Sequence, residues 1–151
     1  MDEAFTQWGH AAAIALPFRH MTALVTKHAS EGADDPGDVR RIFSSVPSAY
    51  PVGGWKHLSG SEWSAHVLQA QRVLVASGSS ALVRYFPDHA LLRSLGTRTL
   101  VNIPLVVCQR TVGALALLCE QERIDPAALA RIEALAPYTA PLFVLSQADA
   151  G

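Results

Sequence analysis

Two apolar runs, "RTLVNIPLVV" (98–107) and "TVGALALLC" (111–119), leave the rest of the chain little choice. A strand with one face in water alternates apolar and polar residues. Neither run does, so both read as central strands covered on both faces. The short link between them closes a β-hairpin that turns near Gln109 and Arg110. A sheet buried on both sides needs a covering layer over each face, and the remaining sequence must supply both. Pro104, which has no amide proton to give to a ladder, marks a bulge or a local break.

The flanking segments supply those layers. Asp2 can cap a first helix, about residues 3–16, whose apolar positions Phe5, Trp8, Ala12 and Ala15 recur three or four apart before Pro17 ends it. "MTALVTKHA" (Met21 to Ala29) and "VRRIFSSV" (Val39 to Val46) are β-rich and face each other across the polar "SEGADDPGD", which predicts an antiparallel hairpin. Pro47 to Ser61 is rich in Gly, Pro and Ser and reads as a loop. It leads into a short helix, Glu62 to Gln71, with Trp63, Val67 and Ala70 on its apolar face.

"RVLVAS" is a further strand, and "GSSALVRYFP" a linker with one helical turn. Asp88 to Leu95 is a short helix closed by Gly96, which suits the left-handed cap position. Asp125-Pro126 starts the last helix, about 126–147, with Leu129, Ile132 and Ala136 on one face and breaks or kinks at Pro137 and Pro141. This order predicts an α+β fold: a central antiparallel sheet, terminal helices on one face, loop helices on the other.

With 151 residues, half of them hydrophobic and 17% charged, we expect one domain over residues 1–151 with a real core. Twelve Lys and Arg against thirteen Asp and Glu, without a basic cluster, argue against nucleic acid or an anionic membrane as partner. The start is acidic, and the run Ala11 to Leu16 is too short to span a bilayer or to direct export, so the expected location is cytoplasmic. Cys108 and Cys119 fall on the two hairpin arms with Cys119 opposite about residue 100. That separates the sulfurs by roughly 25 Å and predicts two reduced, strand-borne core cysteines.

The succession "RRIFSS...AYPVGGWK...GSEWSAHVL...YFPDHALLRSLG...LVNIPLVVCQRTVGALALL" resembles a GAF domain over roughly residues 5 to 147, the Asn-Ile-Pro strand followed by "TVGALALL" being its most specific part. The resemblance implies a six-or-so-stranded sheet with a pocket on one face, roofed by loops and short helices between the middle strands. It implies too a module that binds a small molecule, in the family a cyclic nucleotide, tetrapyrrole, haem, aromatic acid or oxoacid, and regulates an output domain. No output segment is visible, so a stand-alone module would pass its signal to a protein partner or through an oligomer. The free methionine sulfoxide reductases of this family need cysteines over the pocket; here the corresponding loops hold Trp63, Ser64, Leu91 and Leu92. The signature of the cyclic-nucleotide binders and a tetrapyrrole-anchoring loop cysteine are missing as well.

Within that frame the candidate ligand-binding residues are Tyr50, Trp55, Lys56, Trp63, His66, Phe86, Asp88 and His89. The aromatics could cage an apolar ligand or pack the roof onto the sheet. Lys56 could neutralise a ligand carboxylate or stay solvated, and Gly53-Gly54 reads as a turn rather than an anion cradle. His66, three residues after Trp63, could face inward or be a hydrogen-bonded core histidine. Asp88 follows Phe86-Pro87 where a helix must begin, so its carboxylate is expected to cap that helix, with His89 turned into the pocket.

His10, His20, His28 and His57 show no paired metal-ligand spacing, and no serine sits in Gly-x-Ser-x-Gly. No pattern names a cofactor. Three functions remain open: a module holding an aromatic or anionic organic ligand; a small enzyme using Asp88, His89, His66 or Lys56 for acid or base chemistry; and a ligand-free dimeric scaffold. We expect a homodimer through the terminal helices, from Phe5, Trp8, Leu142, Phe143 and Leu145, and a mobile roof from Tyr50 to Gln71.

Overall fold

The computed structural model describes residues 1–27 and 37–150, with side chains through Gln147. Its elements are α1 (Asp2–Ala15), β1 (His20–Thr26), β2 (Asp38–Ser44), β3 (Gly53–His57), a π-helix (Ser64–Gln69), β4 (Leu74–Ser77), α2 (Gly78–Tyr85), α3 (His89–Ser94), β5 (Thr99–Val107), β6 (Arg110–Cys119), α4 (Pro126–Leu135), a 3-10 turn (Ala136–Thr139) and α5 (Ala140–Ala150). All six strands form one antiparallel sheet in the order β3-β2-β1-β6-β5-β4.

The β5–β6 hairpin is the sheet's spine, as its unbroken apolar character requires. Successive residues of β6 serve opposite layers. Leu115, Leu117 and Cys119 join Phe5, Leu16, Val101, Ile132 and Phe143 under α1, α4 and α5, while Ala114, Ala116 and Leu118 face the roof. Gly113 leaves room for α5 to pack on the sheet, because a β-carbon there would collide with the Phe143 ring and the Leu24 carbonyl.

Several local expectations are corrected. Asp2 is the first helical residue of α1 and not its cap, since Met1 holds that place and its carbonyl accepts from Phe5. The hairpin turns one residue early, at Cys108-Gln109, both with positive φ as a two-residue loop demands. Cys108 is therefore an exposed turn residue rather than a strand-borne core residue; Cys119 is buried opposite Thr99, its thiol pushed up to about 12 by burial, and both cysteines are free. Pro104 stays in the ladder opposite Ala114, and the register shift falls between Leu105 and Val106.

The segment read as a loop contains β3, an exposed strand added to β2 by the pairs Val39 with Lys56 and Arg40 with Trp55. The following helix is a π-helix that buries Trp63, Ser64, Val67 and Leu68 and leaves Ala70 exposed. Its wider turn, five residues from the Ala70 amide to the Ala65 carbonyl, moves the apolar face off the ordinary helical spacing. "GSSALVRY" forms the complete eight-residue helix α2, not one turn. The expected strand end at His28 and Ala29 lies outside the described residues.

The C-terminal run Pro126–Gln147 is by length and composition apolar enough to cross a membrane, with a mean hydropathy of 1.2. Here it is interrupted by the 3-10 turn Ala136–Thr139, which contains Pro137, while Pro141 sits in the first turn of α5, and it lays Ala128, Ile132, Ala136 and Phe143 against the domain's own core. The same packing changes the basis of the dimer expectation. Phe5 and Phe143 are fully buried within the chain, and the half-buried Trp8 donates its indole proton to the Leu135 carbonyl at 3.0 Å. Of the five residues named for the interface, only Leu145 is exposed among the large apolar side chains, in the company of Ile14, Tyr138 and Val144.

Candidate functional site

On the roof side the sheet is not filled to the top. A cavity of about 560 Å³ lies between a floor from β1, β2, β5 and β6 and a roof made by the Val46–Tyr50 turn, β3, the π-helix region and α2–α3. Thr22, Leu24, Asn102, Ala116 and Leu118 form the floor; Leu58, Trp63, Tyr85, Phe86 and Leu92 bring apolar walls. Space of this size suits a small organic molecule.

The charges are gathered in a few places. Arg41 is only 8% exposed, sits 4.8 Å from the Tyr50 ring centre and donates from Nη1 to the Pro51 carbonyl at 3.4 Å, while its buried Nε has no hydrogen-bond partner. Tyr50, held in a turn by hydrogen bonds from its own amide and that of Ala49 to the Val46 carbonyl, donates its hydroxyl proton to Asp88 Oδ2. Burial, then this contact with Asp88, pushes the Tyr50 hydroxyl far above its ordinary ionisation range. Burial likewise lowers Arg41, offset in part by Tyr50 and Asp88. Lys56 is lowered by burial and by Arg41, and raised by Asp88.

At the rim Arg84 and Glu62 form an exposed ion pair at 2.7 Å. Three cations thus face two carboxylates across the cavity, and both carboxylates are already engaged, Glu62 by Arg84 and Asp88 by Tyr50. Among the described residues neither Arg41 nor Lys56 has an ion-pair partner.

Five of the eight expected ligand residues, Tyr50, Lys56, Trp63, Phe86 and Asp88, meet in this cavity. Three do not line it. Trp55 lies on β3 between Lys27 and Arg40, at 5.0 and 5.6 Å from its ring centre. His66 is half-buried and bonded through Nε2 to the Val73 carbonyl at 2.9 Å, hydrogen-bonded as its second reading expects but outside the core. His89, expected to turn inward, borders a separate cavity of about 440 Å³ with Arg93, Arg98 and Glu122.

Asp88 occupies the cap position of α3, and its backbone carbonyl receives the Leu91 and Leu92 amides, yet its carboxylate caps nothing. The phenol of Tyr50, at the end of the Val46–Tyr50 turn, takes that carboxylate instead. Trp63 packs with Val67, Leu68 and Leu74 and also lines the cavity. Gly53 and Gly54, read as a turn, are instead the first two residues of β3, Gly53 paired with Arg41 and Gly54 left over at the register shift, both with positive φ and with open space where a β-carbon would stand. Among the described residues no group of three or more His, Cys, Asp or Glu is placed to hold a metal ion.

Arg41 and Asn102 were missed by sequence reasoning. Asn102 left one signal, a lone amide in an otherwise apolar strand. Arg41 left none, because its facing depends on a bulge. β1 and β2 shift register between Ala23 and Leu24, leaving Ile42 without a partner, so Arg41 opposite Leu24 faces the cavity while Phe43 opposite Ala23 faces the helices.

Comparison with known proteins bears on this geometry. The family model for the GAF domain matches residues 6–140. No curated protein matches the chain in sequence. Among solved structures, the GAF domain of a two-component sensor histidine kinase from Bacillus halodurans superposes with a TM-score of 0.74 at 17% identity, covering 100% of this chain and 98% of that one. The GAF domain/HD domain protein from Geobacter sulfurreducens gives 0.71 at 16% identity, covering 97% and 92%. A type II free methionine-R-sulfoxide reductase from Thermoplasma acidophilum gives 0.61 at 13%, covering 94% and 91%. Neither cysteine of the present chain lines the cavity.

Proposed function

Because this chain belongs to the GAF domain family, we propose that it is a small-molecule-binding signalling module whose cavity receives an organic anion with an apolar, planar body. One observation carries the reading: Arg41, a nearly buried cation whose Nε has no hydrogen-bond partner, and the more exposed Lys56 line an apolar-walled cavity in which neither has an ion-pair partner among the described residues, the one carboxylate that acts on both, Asp88, being held by Tyr50. A buried charge is tolerated when something pairs it, and a bound carboxylate would do so. The acid or base enzyme reading has less behind it, since His66 and His89 are not in the cavity and Asp88 is occupied by Tyr50. The ligand-free scaffold reading sits poorly with a cavity that size.

The test is a thermal-shift and calorimetry panel of aryl carboxylates against their primary amides and the corresponding benzylamines. Acids at a hundred times their Kd should stabilise the fold by about 2.7 kcal/mol and alter the fluorescence of Trp63, with amides far weaker and amines inert. Equal stabilisation by all three, or by amines alone, would refute the anion reading.

Signal output would pass to a partner through the exposed apolar residues of the terminal helices, Ile14, Tyr138, Val144 and Leu145, which we propose as a homodimer surface. Sedimentation at micromolar concentration should give twice the 16.2 kDa chain mass, and Leu145→Lys should return the monomer. A monomeric wild type removes this route.

A further inference from the structure

Asn102 sets a second demand on the ligand. It stands on β5, separated from Arg41 on β2 by the two intervening strands β1 and β6 and offset from it by two residues along them, which on ordinary strand spacing puts their α-carbons about 16 Å apart. It lines the same cavity, is 2% exposed, and its Nδ2 has no hydrogen-bond partner. The side chains in register with it on either side, Leu74 and Ala116, have no acceptor to give. Aliphatic side chains fill most of the rest of this strand, so a buried amide at this point is a group awaiting a partner.

We propose that the ligand is bifunctional: besides the acid group taken by Arg41 and Lys56, it carries a neutral acceptor, a carbonyl oxygen or ring nitrogen, that Asn102 receives on the β5 side of the floor. This rests on the anion reading above and narrows it. The acid supplies the charge that the β2–β3 side lacks, the apolar body lies over Leu24 and Ala116 under Trp63 and Phe86, and the neutral acceptor distinguishes one organic acid from another. Asn102 is then a specificity-determining residue. A site built to hydrogen-bond a substrate group discriminates strongly against an analogue without it, because its own polar group is left unpaired.

Three kinds of probe separate the two layers of the proposal: 4-acetylbenzoate and 3-(4-acetylphenyl)propionate, which carry acid and ketone; their 4-isopropyl counterparts, which keep the acid alone; and 4-methylacetophenone, which keeps the ketone alone. Calorimetry on the wild type should favour the acetyl acids over the isopropyl acids at least tenfold at one spacer length, with the neutral ketone weakest. In Asn102→Leu that ratio should fall to about one, while binding of the isopropyl acids is kept. If Asn102→Leu does not fold, Asn102→Asp, which replaces the donor by an acceptor, should invert the preference. Equal binding of acetyl and isopropyl acids by the wild type overturns the Asn102 assignment and leaves the anion reading standing. Tighter binding of the neutral ketone than of either acid overturns the anion reading, and failure of every probe to bind overturns both.

Discussion

Replacing Phe143 by alanine is expected to cost roughly 3–5 kcal/mol of stability, the range for emptying a fully buried aromatic site. Phe143 is fully buried, meets Phe5 edge-on with ring centres 5.7 Å apart, and Phe5 stacks on Phe43 at 5.1 Å, so one aromatic chain ties α5 through α1 to β2. The site cannot collapse easily, because Phe143 rests on Gly113, which offers no side chain to move into the gap. At about 3 °C per kcal/mol for a chain of this size, the melting temperature should fall by about 10 °C. Phe143 is on the face opposite the cavity, so acid affinity of the molecules still folded should stay as it was. Urea titration with calorimetry checks both halves. A loss under 1 kcal/mol would mean that α5 does not carry the helical layer as described.

Arg41→Met is expected to give the opposite pattern. The guanidinium is nearly buried, keeps one long hydrogen bond to Pro51, and has no ion-pair partner among the described residues. Exchanging such a charge for an apolar side chain of similar length should leave the empty domain as stable as before or more so, less the modest cation–π contact with Tyr50. Binding of an aryl carboxylate should weaken about 10- to 150-fold, the equivalent of about 1.5–3 kcal/mol for hydrogen bonds to a charged group. Melting curves with and without acid read the two signs separately. A variant that melts far earlier yet binds acid as well as wild type would make Arg41 a structural residue and leave Lys56 alone to meet the anion.

How far this site could be read in advance differs residue by residue. Tyr50, Lys56, Trp63 and Phe86 were legible because loop aromatics and a loop lysine between the middle strands have few other places to go once the sheet order is known. Asp88 was legible as a residue and misread as a role. A local argument sees the helix it begins; it does not see a phenol 38 positions upstream in the chain. His89 went astray by the same reasoning, since α3 is only six residues long and the roof contacts of Leu91 and Leu92, not its own pattern, set its rotation.

The chain's own order of residues determined the central strands and the terminal helices, because apolar runs, apolar periodicity and Gly-Pro punctuation act over a few residues and are written locally; it did not determine the side of β6 that each residue serves, since both faces of that strand are apolar. Only tertiary structure decided β3, whose Gly-rich, exposed segment has no reason to be a strand apart from the edge of β2 beside it. It decided too that Arg41 faces the cavity, through a bulge at Ile42 that reverses the alternation on which a strand is read. The physical reason is the same in both cases: pairing between strands sets register and facing, and register belongs to two segments at once.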